Sequence, residues 1–454
     1  MIGKIFDPSI STVQTEDQTV SLKGLFIPFF IEHLLMNLMG TVNTLVLGHY
    51  SDDAVAAVGA ANQVIGFVFT FYAVVSGGVS IVISHRLGAG ESDRAEDAVF
   101  SALVFGGLLS IVCSLALSFW AFPIMKLLNL EDHVLQMAVN YFRICIRFSF
   151  FQGIMSVISA VMRSYGHPKP AVFASLVMNA INAAMNYVVV FRPFETPFEG
   201  AEGIAVSNVA AHLIALVLLC TLFVTSGIPF HIRTKSVRSL LAMRQIIHVG
   251  IPGGISNLSY SFSQVVSTGI LAALGTIALS TKIYVASIVF YVYVVSLSLG
   301  MSTSILVGWM VGAKEYDRAY RLNQMVMRFS LLVNGSLSIL LYIFHEPLLS
   351  LFTSNPEILA MAKGILLIDI FVEIGRAMNH IECNSLQGAG DVMFPMVVSI
   401  LSCWVMSIGL SYVFGILLHM GLYGCWLAFM VDELFRGTLF FLRFKSKRWM
   451  RAKI

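Results

Sequence analysis

Along this chain apolar residues do not alternate with polar ones. They run in long blocks separated by short hydrophilic stretches. Twelve blocks reach the roughly 20 residues an α-helix needs to cross a bilayer. They predict helices 1 to 12 over about 24–48, 54–84, 98–125, 133–162, 169–191, 203–226, 249–273, 277–309, 322–343, 358–388, 393–417 and 421–442. Several exceed the minimum, which predicts tilt, kinks or helical extensions into water. Twelve such runs on such short loops leave too little polar surface for a soluble helical protein.

Composition agrees: 57% of the 454 residues are hydrophobic and 12% charged, about half the charged share of a soluble domain. Basic residues gather on one side of the predicted membrane. Arg86 and Arg94 follow helix 2, Arg163 and Lys169 follow helix 4, Arg233, Lys235, Arg238 and Arg244 follow helix 6, and Lys314, Arg318 and Arg321 follow helix 8. The tail adds Arg443, Lys445, Lys447, Arg448, Arg451 and Lys453, whereas the opposite loops are mainly acidic. By the positive-inside rule both termini are expected in the cytoplasm. The net charge of +3 is thereby a topological signature, with no nucleic-acid site read into it. The first twenty residues include Asp7, Glu16 and Asp17 and no apolar h-region, so no cleaved signal peptide is expected. The six cysteines all fall within predicted helices without a CxxC pair or a His/Cys cluster and read as packing residues.

The chain repeats itself. "GAGESDRA", starting at Gly88, returns as "GAKEYDRA", starting at Gly312, after an offset of 224 residues. At the same offset Gly166 pairs with Gly390, and "GAEGIA" opens helix 6 as "GLYGCW" opens helix 12. This predicts an all-α polytopic membrane protein made of two six-helix lobes, residues 1–235 and 236–454. Six is even, so both halves enter the membrane in the same direction, which implies a pseudo-two-fold axis along the membrane normal. In the repeated phrase glycine lets the chain leave one helix, Asp93 or Asp317 is placed to cap the next, and the following Arg holds the loop in the cytoplasm. The segment "SVRSLLAMRQIIHV", Ser236 to Val249, alternates basic and apolar residues at helical spacing and predicts a linker helix along the inner leaflet.

With "LGHYSDDAVAAVGAANQV" after helix 1, "GIPGGISN" opening helix 7 and "EIGRAMNHIECNSLQGAGD" through helix 10, the sequence resembles a multidrug and toxic compound extrusion (MATE) transporter over nearly its whole length. The resemblance implies two six-helix lobes in a V and cation-driven export of amphipathic, often cationic, organic compounds.

Ionisable residues inside a membrane are costly and tend to face a partner or a wet cavity. In helix 10 Asp369, Glu373, Arg376 and His380 recur at spacings of four, three and four, along one helical face that Gln387 continues. Helix 12 carries Asp432 and Glu433 near its middle and Arg436 one turn on. Cross pairs of Glu373 with Arg436 and of Asp432 with Arg376 are expected. The cluster reads equally as a static ion-pair brace and as a proton or sodium relay led by Glu373. Burial and a neighbouring cation act in opposite senses on a carboxyl's hold on its proton, which is what a switch needs.

The first lobe differs. Helix 1 places Glu32, Met36, Gly40 and Asn43 along one face, and helix 5 places Asn179, Asn182 and Asn186. The resemblance implies carboxylates near Asn43 and Asn186, and this chain has amides, which cannot exchange a proton near neutral pH but can coordinate sodium or bind a substrate. Glu32 reads either as a titrating group or as a hydrated one. The acidic helix 10 position of the sodium-coupled branch falls at or near Arg376, a second departure. By the resemblance, Asn43, Asn179, Asn182, Asn186, Asn257 and Gln264 are candidates to line a substrate path between the halves. Asn62, Gln63, Asn208 and His212 read as cleft residues or as interhelical glue. Arg143, Arg147 and Lys282 read as snorkelling cations.

The 34 Phe and 22 Met suit a malleable cavity. Three functional readings remain: a cation-coupled exporter of small organic compounds, a lipid-linked precursor flippase of the same wider superfamily, and an intramembrane enzyme. For the third no HExxH, GxSxG or metal motif is present. The exporter reading places a monomer among the lipids of a bacterial or archaeal cytoplasmic membrane, with H+ or Na+ as coupling ion and no other cofactor.

Overall fold

A computed structural model describes residues 8–14, 19–48, 52–128, 130–191, 200–229 and 237–452, the side chains of 39–48, 52 and 237–239 excepted. It is nearly all helical. The long helices are α1 (Leu22–Gly48), α2 (Asp52–Gly88), α3 (Ser92–Phe119), α4 (Asp132–Arg147 and Phe150–Ser164), α5 (Lys169–Phe191) and α6 (Gly200–Thr225). They continue with α7 (Val237–Ala273), α8 (Thr276–Gly312), α9 (Tyr316–Ile343), α10 (Pro356–Gly388), α11 (Met393–Ser402, then π-helical over Cys403–Gly409 and Tyr412–Leu417) and α12 (Gly421–Lys445). These are the twelve expected helices in the expected order. Among the described residues seven helices are long and apolar enough to cross a membrane, or eight if the two parts of α4, bent by 42°, form one span.

Glycines and prolines in the short polar stretches mark many of the boundaries, as at Gly48, Gly88, Gly312, Pro356 and Gly388. α10 opens on Asn355, whose side chain accepts the Glu357 amide at 2.9 Å, with Pro356 in the first turn. Three features were not expected. A small antiparallel hairpin, β1 (Thr12–Gln14) and β2 (Thr19–Ser21), pairs Val13 with Val20. The bend in α4 falls at Phe148–Ser149, without a proline. The separate linker helix does not exist: residues from Val237 on form the first turns of α7 itself, because nothing before Pro252 interrupts the helical pattern.

By contacts the chain forms two compact units. Unit 1 comprises Met1–Phe30, Ser84–Gly90 and Ile255–Ile454; unit 2 comprises Ile31–Ile83 and Glu91–Gly254. The expected lobe boundary between residues 235 and 236 lies outside the described residues. Each unit has its own apolar core. In unit 2 it includes Ala57, Val58, Tyr141, Phe142 and Ile204, and in unit 1 Leu271, Val285, Ile365, Leu366 and Trp426. The start of α7 belongs to unit 2 through glycines: a Cβ on Gly250 would sit 3.0 Å from the Val74 carbonyl, so only a bare backbone packs there.

The repeat is visible in the helix limits. α2 and α8, α3 and α9, and α4 and α10 each begin 224 residues apart, and α6 and α12 begin 221 apart. The repeated phrase also gains a packing role. A Cβ on Gly88 would strike the Trp309 carbonyl, and one on Gly312 the His85 carbonyl, two residues that are themselves repeat equivalents. The last turns of α2 and α8 therefore cross at backbone contact, glycine to helix in both directions. Asp93 and Asp317 are not caps. Glu91 and Glu315 hold the N-cap positions without a side-chain cap bond, and each pairs instead with the Arg three residues on, Arg94 and Arg318, at 2.8 Å. A carboxylate that long reaches its own helix's arginine more readily than its own first amides.

Candidate functional site

In unit 1, α10 packs against α8, α9 and α12. Its contact with α12 is close because both helices present glycine: a Cβ on Gly375 would lie 2.7 Å from the Leu434 amide, and one on Gly437 3.0 Å from the Gly375 carbonyl. This brings the two acidic stretches together. Glu373, Asp432, Glu433 and Arg436 are all buried, as is Asp369.

The pairing is local to each helix first. Glu373 Oε1 pairs with Arg376 on α10, and Arg436 on α12 donates to Asp432 Oδ2 at 2.7 Å and to Glu433 Oε1 at 2.9 Å. The expected cross pairs of Glu373 with Arg436 and Asp432 with Arg376 do not form, because partners three or four residues away on the same helix are nearer. Glu433 makes the crossing instead: Arg376 Nε approaches its Oε1 to 3.9 Å and Asn379 donates to its Oε2 at 2.8 Å. Ser402 donates to Asp432 and the Trp426 indole donates to Asp369 at 3.0 Å. The Arg376 guanidinium lies 5.4 Å above the Tyr293 ring, on which His380 also stacks. Three carboxyls, those of Glu373, Asp432 and Glu433, thus share two guanidiniums, with the buried Asp369 one turn before Glu373 on α10, and Glu373 Oε2 is buried without a partner among the described residues. A cluster with two acids in excess suits one or more protons, or a cation, as the balancing charge.

Several members were not singled out from sequence. Asn379, Ser402, Trp426 and Tyr293 are neutral residues whose roles depend on which helix faces them. Glu382, also buried, accepts from Asn323 of α9 at 3.2 Å, and Asn323 donates again to Ser385 at 2.9 Å. Its position nine residues past Glu373, half a helical turn around α10, was the available signal.

Unit 2 carries amides. Asn186 donates to Asn182 at 3.0 Å, Asn182 donates to Asn208, Asn208 donates to the Tyr141 hydroxyl at 2.9 Å, and that hydroxyl donates to Asn62 at 3.1 Å. Beside this chain lies a cavity of about 160 Å³ lined by Asn62, Phe69, Tyr141, Cys145, Ser149 and His212 among others. Asn179 sits one turn before Asn182 in α5, half-buried. Glu32 is an ion-pair partner of Arg163 at 2.9 Å. Asn257 and Gln264 belong to unit 1, where their carbonyls accept from Ser261 and Thr268. The Asn43 side chain lies outside the described residues.

The MatE family model matches residues 28–188 and again 252–413, two copies whose starts are 224 residues apart. An uncharacterized transporter of Bacillus subtilis, YisQ, is 33% identical over 96% of this chain and 96% of its own length. A probable multidrug resistance protein of Thermotoga maritima, NorM, is 27% identical over 95% of this chain and 93% of its own. Among solved structures, a MATE protein in complex with MaD3S superposes with a TM-score of 0.87 at 17% identity, covering 94% of this chain and 95% of that one.

Proposed function

This chain belongs to the MatE family, and from that premise we propose that it is a secondary active antiporter. It exports amphipathic, cationic organic compounds in exchange for protons or sodium by alternating access. Membership of a family of membrane transporters, not enzymes, fits a polytopic helical fold. The substrate class is supported by relatives named as multidrug resistance proteins.

The observation that carries the coupling is the excess of two buried carboxyls over guanidiniums, with Glu373 holding one oxygen free of any described partner. Binding a proton or sodium at Glu373 lowers that excess by one charge, and releasing it restores the excess. The Glu373–Arg376 pair and its link to Glu433 then favour different arrangements of α10 and α12 in the loaded and empty states. Asp369, Asp432 and Glu433 shape the field around Glu373. Asn179, Asn182 and Asn186 of unit 2 are substrate-path residues in this reading, and Glu32, paired with Arg163, is a secondary coupling candidate. The protein works as a monomer in the bacterial cytoplasmic membrane with both termini inside.

The test is efflux of a fluorescent organic cation from proteoliposomes under separately imposed proton and sodium gradients. One gradient suffices for the wild type, and Glu373→Gln abolishes the driven component while substrate binding and folding persist. Normal transport by the Gln variant would make the cluster a brace. Movement of a labelled lipid in place of the organic cation would point to a flippase.

A further inference from the structure

Past the end of α12 the chain turns back on its own helix. Lys447 takes the left-handed conformation at φ +57°, and a short 3₁₀ helix, Arg448–Arg451, follows it. The Phe444 carbonyl, one of the end groups an α-helix leaves unbonded, accepts from the Lys447 amide at 3.1 Å and from the Trp449 indole at 2.8 Å. Trp449 is fully buried, with its ring 4.7 Å from that of Phe444 and 6.1 Å from that of Tyr316 on α9. Tyr320, one turn further along α9, stacks on Phe444 in turn. At the positions 224 residues earlier the first half has Ser92 and Glu96, so this aromatic seat belongs to the second half.

The cations around the seat are of two kinds. Arg443 pairs with Asp391 at 2.7 Å and Lys447 with Asp317 at 3.1 Å. Lys445, Arg448 and Arg451 are exposed and have no acid partner among the described residues, and the chain carries no acid after Glu433. In a 3₁₀ helix residues three apart eclipse, so Arg448 and Arg451 share one face while Trp449 turns inward. The apolar run of α12 ends near Leu442. The contacts of Trp449 therefore hold these three cations close to the level where hydrocarbon gives way to headgroups.

We propose that Lys445, Arg448 and Arg451 form a docking site for the phosphate of an anionic phospholipid. A guanidinium fork matches phosphate oxygens in pairs, and an ammonium adds a point charge beside it. Charge and depth both suit a lipid: three cations without acid partners stand at one level, on the side where the expected cytoplasmic C-terminus meets the anionic leaflet. A free tail has the same charges but spreads them, whereas the buried Trp449 has already ordered this one. The site is independent of what the protein carries and of the ion that drives it.

The test is native mass spectrometry of the full-length protein in detergent, titrated with phosphatidylglycerol and, for comparison, with phosphatidylcholine. The wild type holds a phosphatidylglycerol more tightly than a phosphatidylcholine. Arg448→Gln combined with Arg451→Gln weakens that binding roughly 30-fold. Trp449→Ala weakens it as well, although every cation remains. Removing two exposed cations elsewhere, by Lys169→Gln with Lys314→Gln, leaves it unchanged. Equal losses in the two double variants would reduce the effect to general attraction and overturn the site, as would full binding in Trp449→Ala. The arginine variant alters exposed side chains alone and decides the matter should Trp449→Ala unfold: undiminished binding there overturns the site by itself. Inorganic phosphate that displaces the lipid on equal terms would make the ligand a soluble anion and overturn the lipid assignment.

Discussion

The two halves solve the same packing problem with opposite chemistry. The N-terminal half lines its cavity with Phe69, Cys145, Ser149 and His212. At the repeat-equivalent positions the C-terminal half has Tyr293, Asp369, Glu373 and Glu433, the heart of the charged cluster. One set of helices therefore holds a neutral chain of amides beside an open space, and its copy holds four buried carboxyls and two guanidiniums in one cluster. A duplicated scaffold thus carries its buried charge in one half and neutral amides in the other. Division of labour between copies follows from a few side chains without altering the helices that present them.

The sharpest way to break this comparison is to remove one guanidinium. Arg436→Met leaves Asp432 and Glu433 buried without their shared partner, and is expected to cost about 3–5 kcal/mol. A marked fall in the apparent melting temperature in detergent would show it. If the loss is slight, the acids are already neutral or solvated, and the charged half is less different from its copy than the pairing implies.

The glycine crossing tests the symmetry itself. Gly88→Ala and Gly312→Ala each drive a methyl group into the carbonyl of the opposing helix, at an expected cost of about 1–3 kcal/mol. Since the two contacts are repeat equivalents, the two melting shifts are expected to match. A large inequality would mean that the resemblance of the halves does not extend to their energetics.

Much of this was legible from the chain alone, for identifiable reasons. Helix limits were marked by long apolar runs and by Gly and Pro, and Asp369, Glu373 and Arg376 stood out because charge inside such a run is rare. Pairing was not legible: Arg436 serves Asp432 and Glu433 on its own helix, and Glu32 meets an arginine 131 residues away. Asn379 and Trp426 gave no signal, since a neutral side chain in a helix acquires a role only from the helix opposite. The bend at Phe148–Ser149 and the continuous start of α7 were hidden because no breaker residue marks the first and none interrupts the second.

In the neutral half the key link is the Tyr141 hydroxyl, which accepts from Asn208 and donates to Asn62. Tyr141→Phe strands both amides and is expected to cost about 1–2 kcal/mol, well below the Arg436 substitution. Thermal unfolding of the two variants side by side measures the contrast between charged and uncharged networks. Equal losses would show that the amide chain holds its half together as firmly as the ions hold theirs.

The smallest effect comes from the one place where the repeated phrase changes its glycine. Gly90 has φ +71°, and its equivalent Lys314 keeps the left-handed turn at φ +62°. A residue with a Cβ is disfavoured there by roughly 1–2 kcal/mol. Lys314→Gly removes that strain but gives the unfolded chain more freedom, worth about 0.4–1 kcal/mol in the other direction. The difference predicts a net gain of about 0.5–1 kcal/mol, seen as a small rise in melting temperature, whereas Gly90→Lys is expected to lower it by a similar amount. Lys314 is exposed and follows a turn whose backbone bonds, from the Lys314 amide to Val311 and from Glu315 to Met310, do not involve its side chain. A fall in stability on Lys314→Gly would therefore assign the lysine a role beyond the turn, and the two copies of the phrase would differ in function as well as in conformation.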